Sequence, residues 1–152
     1  MNKEDYIIKL EKHDTKDIID NHVNGSLTVI WRDYDNLIKH NPKMVYVSSV
    51  NKGETKGPHI HTKRNSYFTC IQGKVIFILK NSNGTYSEIE SSSENGVMVF
   101  VPCNIASAHI NIHDSPSKIL TLADTSWKPD DDEMKNTTFD DYNWIKWKKI
   151  QI

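Results

Sequence analysis

Between Lys56 and Arg64 the chain reads Lys-Gly-Pro-His-Ile-His-Thr-Lys-Arg, setting two histidines two residues apart among fixed cations. Successive side chains of a β-strand point to opposite faces, so on a strand His59 and His61 share one face. Histidine ordinarily exchanges its proton near a pKa of about 6.5, which suits the pair to general acid and base work. Lys56 and Arg64 would surround it with positive charge, fit for an anionic substrate group or a developing oxyanion. The segment is predicted to be an active-site strand. Further along, Gly96-Val-Met-Val-Phe-Val-Pro102 is an apolar run stopped by proline and followed by His109. Three chemistries fit these residues. Neutral imidazoles can move protons on a substrate; His59, His61 and His109 can bind a divalent ion as a three-histidine face; or the pocket can bind a ligand without reaction, a sugar in the resemblance drawn below. Tyr46 is the candidate acid, against the plainer reading of a core tyrosine with a wet hydroxyl. His13, His22, His40 and His113 have no motif around them and default to the surface.

The elements that must position these side chains read as short strands. Residues 6 to 11 alternate weakly, Asp14 to Asn24 reads as a polar loop with one helical turn, and Leu27 to Trp31 is a short β-branched stretch. Met44 to Val50, Phe68 to Ile71 and Val75 to Leu79 are strand-like, the last two flanking Gln72-Gly73. Asn83-Gly84 and Asn95-Gly96 are turn signals, because both residue types tolerate positive φ. Val97 to Val101 is apolar at every position, as in a strand covered on both faces, and Ile119 to Leu122 adds another. Many short strands at close spacing predict an antiparallel sandwich or barrel. After Asp124 the pattern changes: the run Asp130 to Glu133 reads as a solvated loop. Asp140 to Ile152, with Trp144, Trp147, Ile150 and Ile152, reads as a short element covering an open barrel end or a subunit partner.

Gly57-x-His59-x-His61 ending in Gly73, then Gly96-x5-Pro102 and His109, resembles the two motifs of the cupin superfamily. That resemblance implies an all-β antiparallel double-sheet jelly roll (a cupin barrel) with a short C-terminal extension. Lys43-Met-Val-Tyr-Val, Gly53-Glu-Thr-Lys-Gly-Pro-His-Ile-His61 and Cys70-Ile-Gln-Gly73 are similar to the dTDP-4-dehydro-6-deoxyglucose 3,4-ketoisomerases. Lys56-Gly-x-His59, Trp127-Lys-Pro129, Glu133 and Trp144 to Trp147 are similar to the dTDP-4-dehydrorhamnose 3,5-epimerases. The resemblance runs from about Ile18 to Trp147. It implies an isomerase of 4-keto-6-deoxy nucleotide sugars, in deoxysugar or surface-polysaccharide biosynthesis, that needs neither metal nor cofactor. His59 would be the base. His61, a glutamine in the epimerases, would relay the proton, which favours ketoisomerase. Tyr46 would be catalytic, Lys56 and Arg64 would hold the diphosphate or enolate oxygen, and His109 would contact substrate. Thr121 stands where the epimerases carry a tyrosine acid, and no C-terminal aspartate matches the one that pairs with their histidine. The resembling families also imply a homodimer formed through N-terminal strands.

At 152 residues the sequence is long enough for one real core, and a single cupin domain over 1–152 is expected. A net charge of −1 spread along the chain offers no basic field for nucleic acid. No apolar stretch approaches the ~20 residues of a membrane span. The charged N-terminus does not read as a signal peptide, so a soluble cytoplasmic protein is expected. Cys70 and Cys103 are expected to be free thiols.

Overall fold

The computed structural model describes residues 1–148. After a 3-10 turn over Lys3–Tyr6 come β1 (Ile7–Lys9), β2 (Glu11–Lys16), β3 (Val23–Val29), β4 (Met44–Val50), β5 (Thr55–His61) and β6 (Ser66–Gln72). They are followed by β7 (Lys74–Lys80), β8 (Tyr86–Ser92), β9 (Val97–Val101), β10 (Ser107–Asn111), β11 (Ser117–Ala123), β12 (Met134–Asn136) and the helical turn α1 (Ile145–Lys148). One five-stranded sheet has the order β1-β9-β6-β11-β4 and a second the order β12-β5-β10-β7-β8, with every pairing antiparallel. Their inner faces meet in a core where Val50, Val99 and Ile119 of the first sheet pack with Val75, Phe77, Leu79 and Ile89 of the second. This is the two-sheet jelly roll, held by burial of alternating apolar side chains.

Both outer faces are partly covered. On the first sheet, Ile38 from the loop before β4 is buried against Tyr67, Met98 and Leu122. His40 in that loop, expected at the surface, bonds the Tyr67 hydroxyl at 2.9 Å and stacks on Phe100. On the second sheet, Phe139, Tyr142, Trp144 and Trp147 pack against Ile76, Ile78, Ala108 and Ile110. The tail therefore covers a sheet face, not the barrel end the sequence suggested, because the outward positions of β7 and β10 are apolar and need a lid. Ile150 and Ile152 lie outside the described residues.

The expected loop over Asp14 to Asn24 is instead part of a hairpin: β2 pairs with β3 as a separate two-stranded sheet. Its side chains are nearly all exposed, so the alternation that reveals a half-buried strand is missing. Cys70 and Cys103 are free, as expected. Among the described residues no helix is long and apolar enough to cross a membrane.

Candidate active site

Between the sheets lies a cavity of about 200 Å³. Tyr46, Ser48 and Phe68 of the first sheet form one wall, and Lys56, His59, His61, Ser107, His109 and Met134 of the second form the other, with Arg64 entering from the β5–β6 loop. All six residues singled out in the sequence thus line one cavity.

His59 and His61 share a face through simple alternation, but Lys56 should by the same rule point away. A bulge reverses it. Ser107 pairs with His59 while His109 pairs with Lys56, so three steps along β5 are matched by two along β10. The extra residue falls at Gly57–Pro58, a cis peptide, where Gly57 has φ +88. A Cβ on Gly57 would stand 2.8 Å from the Ser107 carbonyl oxygen, so only glycine lets the two backbones approach this closely.

Each histidine has its own partner on or beside β12. His59 Nδ1 lies 3.0 Å from Asn136 Oδ1, and His61 Nδ1 lies 2.8 Å from Glu133 Oε2. Because carbonyl and carboxylate oxygens only accept, each ring donates from Nδ1 and keeps Nε2 free. Glu133 is buried, contrary to its reading as part of a solvated loop. It also accepts the Arg64 backbone N–H at 3.0 Å, and its Oε2 is 3.9 Å from Arg64 Nη2. Burial alone would raise its carboxyl, but the hydrogen bond and charge of His61 and the amide and guanidinium of Arg64 outweigh that and hold it below the ordinary range. Glu133 thus gives His61 a carboxylate partner, whereas His59 is held by the neutral amide of Asn136.

Arg64 is buried, and its Nε has no hydrogen-bond partner. A buried guanidinium left partly unsatisfied beside a cavity has a donor free for one more acceptor. Lys56, in contrast, is exposed at the rim. His109 packs its ring 5.1 Å from that of Phe77, and its Nε2 is buried without a partner. Burial, together with the nearby charges of Lys56 and His59, pushes its pKa down to about 3, so it is neutral at pH 7. Thr121, buried with an unpartnered hydroxyl, sits directly across from Tyr46 on β4. Among the described residues, the ligand atoms that gather within 4.8 Å of one another belong to Asp17, Asp20 and His22 on the exposed hairpin, not to His59, His61 and His109.

The family described as FdtA, WxcM-like, C-terminal, matches residues 4–144. The chain belongs to the FdtA family. No curated protein matches it. Among solved structures, this FdtA-family chain is similar to the 3,4-ketoisomerase QdtA from Thermoanaerobacterium thermosaccharolyticum, solved as a histidine-to-asparagine variant with TDP-4-keto-6-deoxyglucose. The identity is 22%, the TM-score 0.68, and 86% of each chain is covered. It is also similar to the epimerase RmlC from Legionella pneumophila Philadelphia 1, at 14% identity and TM-score 0.72, over 96% of this chain and 76% of that one. The capsular polysaccharide assembling protein CapF from Staphylococcus aureus matches at 20% identity and TM-score 0.59, over 64% of this chain. The FdtA-family chain spans only 29% of CapF's length.

Glu133, Asn136, Ser48 and Ser107 were not among the site residues expected from sequence. Glu133 carried one usable signal, its place in the tail that resembles the epimerases.

Proposed function

We propose that this chain is an isomerase of 4-keto-6-deoxy nucleotide sugars, a 3,4-ketoisomerase in which His59 and His61 move protons beside the ketone. One observation carries the reading: two imidazoles with free Nε2 atoms share a small cavity with an unsatisfied, buried guanidinium. A carbon beside a ketone gives up its proton only to a base within reach while the enolate oxygen is stabilised. His59 Nε2 takes the proton from sugar C3, and the electrons move onto O4, which accepts from Arg64. The free Nε2 of His61 takes the O3 proton and passes it to O4, and as the C3 carbonyl forms protonated His59 returns its proton to C4. One hydrogen passes from C3 to C4, another from O3 to O4, and neither ring is changed at the end. Tyr46 on the opposite wall donates to the sugar, His109 contacts it as a neutral ring, and Lys56 at the rim meets the diphosphate.

In the same proposal the chain works as one domain in a homodimer, which Val45 and Val47 support, being exposed on edge strand β4 at 58% and 55%. A second reading, an epimerase, draws on the phenol of Tyr46 lying across from Thr121, where the epimerases keep their tyrosine.

Incubation with a 4-keto-6-deoxy nucleotide sugar in heavy water tests the proposal. Wild type should place deuterium on the carbon beside the ketone and yield the 3-keto isomer. His59→Asn should lose exchange by about 10²-fold or more, while His61→Asn should exchange at C3 without completing the transfer. Product with an inverted centre and its ketone still at C4 favours the epimerase. No exchange with any such sugar in folded protein refutes both.

A further inference from the structure

The two histidines differ in what holds them. Asn136 is neutral, whereas Glu133 is a buried carboxylate that stands behind His61, and none of the residues lining the cavity is acidic. The other titratable groups facing His61 are Lys56 and His59 on β5, Arg64 in the next loop, His109 on β10 and Tyr46 on β4. Glu133 is anchored from several sides. Its backbone carbonyl accepts the Thr62 N–H at 2.9 Å, and its Oε1 accepts the amides of Arg64 at 3.0 Å and Lys63 at 3.4 Å. Oε1, fixed by these backbone donors, lies 3.1 Å from His61 Nδ1, and Oε2 at 2.8 Å is the nearer of the ring's two partner atoms.

We propose that Glu133 is the positioning residue that fixes His61 in the Nδ1–H tautomer, aims its Nε2 at the substrate, and makes His61 rather than His59 the site's proton donor to oxygen. The tautomer follows from the bonding alone. A carboxylate can only accept, so the ring proton must sit on Nδ1. When Nε2 takes up a proton, the resulting imidazolium faces a buried negative charge. His59, held by a neutral amide oxygen, has no such compensation and serves as the carbon base. The assignment of tautomer stands on geometry, and the role in turnover rests on the isomerase reading.

Glu133→Gln separates charge from shape. The two loop amides still require an oxygen at the Oε1 position, so the new amide NH2 must occupy the Oε2 position, where it donates to His61 Nδ1. With the nearer of its two partner atoms turned donor, the ring goes over to the Nε2–H form, its proton toward the cavity and no lone pair there to receive another. Nitrogen NMR of the histidine rings in the full chain reads this without substrate. The expected result is Nδ1–H for His61 in wild type and Glu133→Asp, Nε2–H in Glu133→Gln, and an unchanged His59 in all three. With a 4-keto nucleotide sugar, Glu133→Gln should lower net isomerisation by about 10²-fold or more while C3 exchange through His59 falls less than about tenfold. Glu133→Asp should recover part of the loss. A neutral His61 in the Nε2–H form in wild type overturns the proposal whether or not the variant folds, as does an equal loss of exchange and isomerisation in Glu133→Gln. If the expected tautomers appear but no sugar reacts, the isomerase reading fails and the positioning role stands.

Discussion

Gly57→Ala tests the bulge that turns Lys56 into the cavity. An L-residue at the φ of +88 found there carries a penalty of about 1–2 kcal/mol. The new Cβ would also lie 2.8 Å from the Ser107 carbonyl oxygen and 3.1 Å from the Ala108 Cα, both backbone atoms of β10 that no rotamer change can move aside. Overpacking of that kind costs about 1–3 kcal/mol, so the sum is about 2–5 kcal/mol. Gly84 is the matched control, with φ +87 and nothing within 4 Å of its added Cβ, and Gly84→Ala should show the backbone penalty alone. In urea, taking m as about 2 kcal/mol/M, the Gly57 variant should unfold roughly 1–2.5 M earlier than wild type. If β5 relaxes by flattening its bulge, Lys56 swings off the cavity, and calorimetry should show weaker nucleotide-sugar binding that Gly84→Ala does not share. Equal losses for the two alanine variants, or a loss under about 1 kcal/mol at Gly57, would refute the close-approach argument.

The remaining expectations concern charge. Lys56→Met should weaken binding of the nucleoside diphosphate by roughly 1–3 kcal/mol, whereas Arg64→Met should spare it and depress exchange, if the buried guanidinium holds O4 as proposed. Calorimetry with the diphosphate alone distinguishes them, and the opposite pattern would exchange their roles. His109, with a folded pKa lowered to about 3 against ~6.5 for histidine in the unfolded chain, lets the unfolded state bind the extra proton first. Its contribution is complete above pH 6.5 and is lost progressively as the pH falls toward 3. Denaturation midpoints between pH 6 and 5 lie above the range where Glu133, whose carboxyl is held low, begins to protonate. There, His109→Leu should be less acid-sensitive than wild type, and parallel curves would contradict the burial of that ring.

What could be read in advance follows burial. Val97 to Val101 was legible because β9 has little exposure on either face, and Met44 to Val50 because one face alternates. The hairpin was not, since Glu11–Lys16 and Val23–Val29 pack against little but each other. Tyr86–Ser92 was missed because its inward positions are held largely by serines, with Ser91 buried by bonding Val97 O and receiving the Cys70 amide. The histidine pair declared itself through a two-residue spacing. Its partners could not, because Glu133 and Asn136 lie 72 and 77 residues away from the rings they hold, and an acidic run gives no hint of which carboxylate will be buried.

Those separations also set an order in time. On a ribosome, His59 and His61 emerge long before the strand that gives each ring its hydrogen-bond partner, and both sheets can pair nearly all their strands while the two rings remain unpartnered. A chain interrupted after β11 would keep the walls of the cavity and lack Glu133 and Asn136 altogether. The two rings therefore gain their partners only once the late segment has docked, with Phe139 and Trp144 seated on the far side of the same sheet. If the rings act as proposed, full isomerisation becomes a readout that translation has passed residue 136 and that the segment after β12 has found its place.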